Sequence, residues 1–244
     1  MSDWLLDLGN TRLKLARREG DRAGAVQAFA HVDIARAWSG ADAPAAGDRA
    51  WLASVGPVAV TEAVAQALTA HDVDVRFVRT QAAEGALRIA YQDPARLGVD
   101  RFLALLAASA RTDGPWVLVS VGSAVTADVL AADGKHLGGL ILPTEATMRD
   151  ALASRFPALD LPAAEPHALG VDTAGAIASG ARHALLGAMA RVLAVARVKL
   201  GAEPTLLLSG GGVAALDDLH HPHRVAASSL VLDGLALWAR ARSD

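Results

Sequence analysis

One stretch near the start of the chain has an echo in its middle, and this echo limits the folds that the sequence can adopt. Leu6-Asp7-Leu8-Gly9-Asn10 aligns with Val119-Ser120-Val121-Gly122-Ser123, and in both copies an apolar run breaks at a glycine. An internal repeat of this kind predicts two similar α/β domains, here 1–112 and 113–244. The alternative is chance similarity, because buried strands that end at a glycine are common.

The first copy has the pattern of a β-hairpin. Trp4-Leu5-Leu6 is an apolar run typical of a buried strand, and residues 12–15 alternate between basic and apolar side chains with the period of a half-exposed strand. Gly9-Asn10 between them predicts a tight turn with positive φ. Asp7 then lies at the end of the first strand, where it is either a turn cap or part of a site.

The rest of the chain alternates strand-like segments with helical segments rich in Ala and Leu, which is the pattern of an α/β fold. Thr112-Asp113-Gly114-Pro115 is the clearest break between them. Helices are predicted at 31–39, 60–71, 98–111, 145–155, 173–200 and 230–242, and strands at 50–55, 73–78 and 205–208.

The composition excludes several classes of function. The 244-residue chain has no cysteine, which excludes a thiolate metal site and a cysteine nucleophile. A net charge of −3 with scattered arginines argues against nucleic-acid binding. No apolar run is long enough to span a bilayer, and no signal peptide is evident, so a cytoplasmic protein is expected.

Four predicted turns expose backbone N–H groups beside glycine or small residues. They lie at Gly9-Asn10-Thr11, Gly122-Ser123-Ala124, Gly138-Gly139 and Gly210-Gly211-Gly212. Clustered N–H groups bind anions, and glycine lets a phosphate approach the backbone closely. The chain has no Walker A motif and no dinucleotide fingerprint. The turns therefore indicate phosphate binding only through their matched positions in the two halves.

Two carboxylates are suited to phosphoryl transfer. Asp7 is the candidate ligand for Mg²⁺, which usually takes one or two protein carboxylates. Asp100, at the start of a predicted helix, is the candidate base for the attacking hydroxyl. A first-turn acid that offsets the helix dipole is the alternative for Asp100. Arg101 is either a salt-bridge partner or a ligand for a substrate anion.

Other polar residues are expected to be structural. Thr126 and Asp128 are interpreted as polar residues at a strand edge. His136, His183 and His220-His221-Pro222-His223 suggest a metal site, but the 220–223 segment has no acidic or Cys partner at a useful spacing. The 220–223 segment is therefore predicted to be a solvent-exposed loop.

With these turns assembled, the chain resembles the type III pantothenate kinases, a branch of the acetate-and-sugar-kinase, heat-shock-ATPase and actin superfamily. The resemblance covers nearly the whole chain. The matching motifs are Asp7-Leu8-Gly9-Asn10-Thr11, Tyr91-x-Asp93-Pro94-x-x-Leu97-Gly98-Val99-Asp100-Arg101, Gly122-Ser123-Ala124-Val125-Thr126-Ala127-Asp128, Gly138-Gly139-x-x-x-Pro143, Thr173-x-x-Ala176-Ile177-x-x-Gly180, Ser209-Gly210-Gly211 and Leu232-x-Gly234-Leu235.

The resemblance implies two ribonuclease-H-like, actin-like ATPase domains, each opening with a β-hairpin and flanked by helices. It implies ATP-dependent phosphorylation of pantothenate to 4'-phosphopantothenate, the first step of coenzyme A biosynthesis. Asp100 would be the general base and Asp7 would hold Mg²⁺ with the phosphates. The implied pantothenate side is Tyr91, Gly98, Val99, Arg101 and Thr173. The implied ATP side is Asp7, Gly9, Asn10, Thr11, Lys14, Gly122, Ser123, Ala124, Thr126, Gly210 and Gly211.

The resemblance also implies a homodimer whose pantothenate pocket is completed across the interface, and a monovalent cation, K⁺ or NH₄⁺. The family usually has Asp at the position of Ser120, and this Asp is associated with the cation site. A hydroxyl there removes a full charge from the cation's shell, which puts K⁺ dependence in question. The family also tends to have Thr at Ser123 and Gly at Thr144.

These departures keep a second class of function open. A non-catalytic relative could act as a regulatory protein, and some family members are called Bvg accessory factor after a proposed role in transcription. A third interpretation is a kinase of the same fold that acts on a different hydroxyl substrate. Asp7, Asp100, Arg101 and Thr173 are all present, and for this reason the sequence favours an active pantothenate kinase.

Overall fold

The segments predicted as strands assemble into two large sheets in the computed structural model, which describes residues 1–40, 42–157 and 162–242. The strands are β1 (Asp3–Leu8), β2 (Arg12–Glu19), β3 (Arg22–Ala23), β4 (Gln27–Ala30), β5 (Arg49–Ser54), β6 (Asp74–Phe77), β7 (Ala83–Glu84), β8 (Leu87–Arg88), β9 (Trp116–Val121), β10 (Val125–Leu130), β11 (His136–Leu142), β12 (Thr205–Ser209) and β13 (Arg224–Ala226). The α-helices are α1 (Val58–Ala70), α2 (Val99–Ser109), α3 (Glu145–Arg155), α4 (Thr173–Leu200) and α5 (Leu230–Arg240). Short 3-10 helices lie at His31–Trp38, Pro94–Arg96 and Val213–Leu216.

The two large sheets share one strand order. The first runs β3-β2-β1-β5-β6, with β4 also paired to β2, and the second runs β11-β10-β9-β12-β13. In the first sheet β1 is antiparallel to β2 and parallel to β5, and in the second β9 is parallel to β12. Asp7 is the penultimate residue of β1, and Ser120 is the penultimate residue of β9. The echo in the sequence therefore corresponds to equivalent strands of two similarly ordered sheets.

The chain divides into two compact units. The first contains Met1–Gly114, Leu130–Gly138 and the segment from Ser229 onward, and the second contains Pro115–Val129 and Gly139–Ser228. The predicted boundary at 112/113 lies close to the point where the first unit's longest segment ends. The hairpin turn after β10 and the helix α5 are grouped with the first unit.

The first unit buries both faces of its sheet. Alternate residues of β1 and β2, among them Leu6, Leu8, Leu13 and Leu15, pack with the helix α1 on one face. On α2 and α5, Phe102 and Trp238 meet edge to face with ring centroids 5.6 Å apart. Gly234 allows the close approach of these two helices, since a Cβ there would overlap the carbonyl of Leu103.

Three local predictions are corrected by the structure. Gly138 and Gly139, which were predicted to form a turn, lie within the strand β11. The turn after β1 spans residues 9–11, and within the described residues neither Gly9 nor Asn10 has a positive φ. A three-residue connection closed by a hydrogen bond from Gly9 N to Arg12 O, 2.9 Å, replaces the expected two-residue turn. Thr126 and Asp128 lie on β10, which has neighbours on both sides, and Asp128 is buried. They are therefore not at a strand edge.

The long helix α4 is the only described α-helix of more than 13 residues, and it ends in a left-handed Gly201. Its length alone would suffice to cross a bilayer. Charged side chains are spread along it, and among the described residues no helix is both long and apolar enough to span a membrane.

Candidate active site

Asp7 is a buried carboxylate at the end of β1. Its side chain is 11% exposed, and one carboxylate oxygen lies 3.8 Å from Nζ of Lys14, the residue opposite it on β2. The pKa of Asp7 is raised from 3.8 to about 6, because burial and the negative charge of Asp100 raise it by more than Lys14 lowers it. The two predicted carboxylates are therefore close enough to interact electrostatically within the first unit.

The loop that follows Asp7 is held from two directions. His31 Nε2 donates a hydrogen bond to the carbonyl oxygen of Gly9, 3.1 Å. Gly56, after β5, donates its N–H to Leu8 O, and a Cβ at Gly56 would lie 2.7 Å from the Gly9 carbonyl oxygen. The backbone of the predicted phosphate loop is thus fixed by residues distant in sequence.

Asp100 lies in the first turn of α2, whose N-cap is Gly98. Its Oδ1 accepts a hydrogen bond from the N–H of Arg101, 2.8 Å, and a Cβ at Gly98 would lie 2.6 Å from this oxygen. Glycine at 98 therefore leaves room for the carboxylate. A first-turn position stabilises the ionised form through the helix dipole and is also compatible with a role as base.

Tyr91 and Arg101 form a second pair in the first unit. A guanidinium N–H of Arg101 donates to the Tyr91 hydroxyl, 3.1 Å, and the guanidinium carbon lies 5.8 Å from the ring centroid. Arg101 is only 7% exposed. A buried arginine held by a phenol presents a fixed donor set, which suits recognition of a substrate anion or amide.

A cavity of about 580 Å³ opens beside the start of α2. Gly98 and Val99 contribute to its wall, with polar side chains of Ser54, Thr61 and Thr80. Thr80 also fixes the backbone just before α2 by donating to Leu97 O, 2.8 Å. The volume is in the range of small-molecule sites.

The equivalent turn of the second unit joins β9 to β10. Gly122 N donates to Ala124 O, 3.0 Å, and closes this turn around Ser123; Thr126 follows on β10. Ser120 lies opposite Ser209 of β12 in the sheet register. Ser120 thus stands where the first unit has Asp7, and Ser209 stands where it has Ala53.

The glycine turn after β12 packs on the same strand end. Gly210 has φ +95°, and a Cβ there would overlap the carbonyl group of Val121. Gly212 N donates to Val121 O, 3.0 Å, whereas Gly211 has open space around it. Only glycine fits position 210, because both its conformation and the close approach exclude a side chain.

Thr173 and Thr144 lie at two helix starts of the second unit. Thr173 is the exposed first residue of α4, after the N-cap Asp172, whose carboxylate accepts from Gly175 N, 2.7 Å. Thr144 is the N-cap of α3 and accepts from Thr147 N, 3.1 Å. The departure from glycine at 144 therefore serves to cap a helix.

The histidine-rich segment differs from its prediction in one respect. Residues 220–223 form a loop, and His220 and His223 are exposed as expected. The His221 side chain is only 2% exposed, and its Nε2 lies 2.9 Å from a carboxylate oxygen of Glu203. This acidic partner lies in the segment after α4, and the sequence pattern did not indicate that Glu203 and His221 would meet.

Asp7 is the candidate ligand for a magnesium ion in the first unit. Among the described residues no three His, Cys, Asp or Glu side chains converge as a metal cage. Mg²⁺ bound with nucleotide needs only one or two carboxylates, because phosphate oxygens and water complete its shell. A single buried carboxylate beside a loop that is predicted to bind phosphate meets that requirement.

His31 and Gly56 are site residues that the sequence did not point to. His31 donates to the Gly9 carbonyl, and Gly56 donates to Leu8 O and leaves room beside the Gly9 carbonyl; no motif around either residue signals these contacts. Gly56-Pro57 is visible in the sequence only as the end of a strand.

The chain is similar over its whole length to known proteins. The model of the type III pantothenate kinase family matches residues 4–195. A type III pantothenate kinase from Xanthomonas axonopodis pv. citri is 44% identical over 244 residues, which is 100% of both chains. This full-length similarity to a kinase does not favour the regulatory alternative.

Solved structures show the fold. A protein from Campylobacter jejuni described as a conserved candidate Baf family transcriptional activator gives a TM-score of 0.63 at 18% identity, with 98% of each chain covered. The ADPNP-bound activator of 2-hydroxyisocaproyl-CoA dehydratase from Clostridium difficile gives 0.51 at 11% identity, with 100% of this chain and 96% of that chain covered. The predicted actin-like ATPase fold is confirmed. By the family model and the full-length relative together, the chain belongs to the type III pantothenate kinase family.

Proposed function

We propose that this protein transfers the γ-phosphoryl group of ATP to the primary hydroxyl of pantothenate. The observation that carries the proposal is the 44% identity to a type III pantothenate kinase over the whole chain, with Asp7 buried at the end of β1 and Asp100 in the first turn of α2. One carboxylate for the metal and one for the hydroxyl proton is the minimum that this chemistry requires of the protein.

Asp100 is the proposed general base. Its carboxylate accepts the proton of the pantothenate hydroxyl as the hydroxyl oxygen attacks the γ-phosphorus. The bond from the γ-phosphorus to the bridging oxygen breaks, and ADP leaves with that electron pair. Glycine at 98 keeps the approach to the carboxylate open.

Asp7 is the proposed protein ligand for Mg²⁺, which supplies charge neutralisation on the phosphates. Lys14, 3.8 Å from Asp7, helps to keep the carboxylate ionised and adds a positive charge for the phosphates. Backbone N–H groups of Gly9, Asn10 and Thr11 are proposed to bind phosphate oxygens next to it.

The second unit is proposed to contribute further ATP contacts. The turn of Gly122, Ser123 and Ala124, with Thr126 beyond it, is equivalent in sheet order to the loop after Asp7. Gly210 and Gly211 follow the neighbouring strand, so that two glycine turns lie at adjacent strand ends of this sheet.

The proposed pantothenate contacts are Tyr91, Gly98, Val99 and Arg101. Their support is the cavity that Gly98 and Val99 line and the fixed Tyr91–Arg101 pair. Pantothenate carries a carboxylate, an amide and hydroxyls, and a buried arginine with a phenol recognises such groups by directed hydrogen bonds.

Thr173 is proposed to complete the pantothenate pocket of a second copy in a homodimer. Thr173 is exposed at the start of α4, and Leu169 and Val171 just before it are 84% and 98% exposed. Exposed apolar side chains of this kind indicate a surface that is covered in an assembly. Sedimentation analysis should give the mass of two chains; a monomer at assay concentration would contradict the proposal.

Ser120 marks the proposed monovalent-cation position. With hydroxyls at 120 and 209 and no carboxylate, we propose that K⁺ or NH₄⁺ binds weakly and that activity depends on it little. We further propose a cytoplasmic location, without nucleic-acid or membrane partners, in keeping with the net charge of −3.

A coupled assay tests the proposed reaction directly. The purified protein with Mg²⁺-ATP and pantothenate, with and without K⁺ or NH₄⁺, should form ADP and phosphopantothenate in equal amounts. ADP with inorganic phosphate and without phosphopantothenate would mean transfer to water, and a panel of small hydroxyl compounds would then test for a different acceptor. No product under any of these conditions would refute the proposal.

A further inference from the structure

Tyr91 packs against a histidine, His136, that lies outside the motifs matched to the family. The ring of His136, the first residue of β11, stacks on the Tyr91 ring with centroids 6.1 Å apart and planes 20° apart. His136 is 1% exposed. Both residues belong to the first unit, because the turn before β11 is grouped with it.

A hydrogen bond holds the same histidine to the chain beside Tyr91. The N–H of Ala90 donates to Nδ1 of His136, 3.4 Å. Nδ1 accepts this bond through its ring lone pair. His136 thus contacts both the ring of Tyr91 and the peptide that precedes it.

The backbone around His136 is anchored to the same segment. Arg88 N donates to Gly134 O, 3.0 Å, and Arg88 and Lys135 form a parallel bridge. Gly134 has φ +86°, and a Cβ there would overlap the Ala86 carbonyl. Several contacts between 86–91 and 134–136 therefore fix where the imidazole can lie.

We propose that His136 is a positioning residue for pantothenate, acting through Tyr91 and, through the Tyr91 hydroxyl, on Arg101. The proposal rests on the proposed function, because it assumes that Tyr91 and Arg101 contact pantothenate. His136 orients the phenol by stacking and by fixing the Ala90 N–H. The phenol in turn accepts from the Arg101 guanidinium, 3.1 Å, and sets its direction.

Two substitutions separate the two contacts. His136→Phe keeps a flat ring and removes the acceptor, whereas His136→Asn keeps an acceptor near the Nδ1 position and removes the ring. Each should raise KM for pantothenate by about tenfold, while KM for ATP and kcat change by less than about twofold. A merely structural role would change all three constants together. His71→Phe, at an exposed residue of the first unit, is the control.

The chain offers a readout that needs no turnover, because Tyr91 is its only tyrosine. Ring-labelled tyrosine gives one set of NMR signals. In the wild-type protein these signals should show a cross-relaxation contact with an imidazole ring and should shift when pantothenate is added. Both substitutions should move the Tyr91 signals in the absence of ligand, and His71→Phe should leave them in place.

The outcomes distinguish this proposal from the proposed function. If the wild type phosphorylates pantothenate but both substitutions leave its KM unchanged, the role of His136 is refuted and the kinase stands. If the wild type neither forms product nor shows a Tyr91 shift with pantothenate, both are refuted. If one substitution prevents folding, the other one tests the proposal. If both prevent folding, absence of the Tyr91–imidazole cross-relaxation contact in the wild-type protein would still refute the proposal.

Discussion

Asp7 and Lys14 face each other across the first hairpin, with a carboxylate oxygen 3.8 Å from the ammonium nitrogen. The pair stands at the inner end of the hairpin, where β1 is flanked on its other side by β5. Lys14 favours the ionised carboxylate, but burial and Asp100 outweigh it and the pKa rises to about 6. The buried negative charge of Asp7 thus destabilises the protein when no ligand is bound, and the positive charge of a metal ion bound with phosphates would compensate it.

Asp7→Asn should stabilise the metal-free protein at neutral pH. The folded pKa of Asp7, about 6, exceeds its ordinary value of 3.8, so the folded state binds more protons between these values. Wild-type stability therefore falls as pH rises from 3.8 to 6, by up to about 3 kcal/mol. Asparagine cannot ionise and avoids this loss.

Urea unfolding in EDTA at pH 5 and pH 8 measures the effect. The free energy of unfolding of Asp7→Asn, relative to that of the wild type, should rise by more than about 1 kcal/mol from pH 5 to pH 8. Asp217→Asn, at a side chain that is 74% exposed, is the control. An equal difference at both pH values would contradict the raised pKa. The same variant should lose activity at every Mg²⁺ concentration that saturates the wild type.

Asp100→Asn should lower kcat by roughly 10²- to 10⁴-fold and change KM for pantothenate little, because general-base assistance acts in the transition state. The amide can still occupy the first turn of α2. Asp93→Asn is the matched control. Asp93 lies seven residues before Asp100 and caps the 3-10 helix at Pro94–Arg96 by accepting a hydrogen bond from Ala95 N, so this variant should keep its turnover. Normal turnover in Asp100→Asn would remove this residue from the base role.

Ser120→Asp should increase the response of activity to K⁺. A restored carboxylate adds attraction for a cation, and about 1.4 kcal/mol of it gives about tenfold tighter binding. The measurement is the rate in KCl against NaCl at constant ionic strength. Ser209→Asp places the same charge on the neighbouring strand and tests position. An unchanged K⁺ response in Ser120→Asp would show that no cation binds at this strand end.

Gly210→Ala and Gly211→Ala should differ sharply although they are adjacent. At Gly210 a Cβ meets the Val121 carbonyl and φ is +95°, so alanine should lower the free energy of unfolding by about 1–3 kcal/mol. Gly211 has open space, and alanine there should change stability by less than about 0.5 kcal/mol. Urea unfolding and KM for ATP measure both variants. Equal effects would contradict the assigned conformation of this turn.

The parts of the fold that depend on local pattern were predictable. The hairpin strands follow from alternation of Leu13 and Leu15 with basic residues, and α4 follows from a long Ala- and Leu-rich segment. The echo between Asp7 and Ser120 predicted equivalent strands because a repeated strand-turn pattern builds a repeated sheet.

Other parts depend on contacts that no local pattern signals. The partner of His221 is Glu203, and the support of Gly9 comes from His31; both are tertiary contacts between separate segments. The sequence indicates His136 only as a candidate metal ligand. Its stacking partner Tyr91 is 45 residues away in the chain, so the contact between the two rings exists only in the folded protein. The position of Asp100 at a helix start left its role open between a base and a first-turn acid. The resemblance to a family was needed to favour the role of base.

The position of α5 has a consequence for synthesis on the ribosome. Asp233 of this helix accepts a hydrogen bond from Ala23 N, 210 residues earlier, and α5 packs on α2. During translation the apolar side of α2 therefore emerges long before the helix that covers it. The longest segment of the first unit is made first and its helix α5 is made last, so α2 lacks its covering helix while residues 110–229 are synthesised.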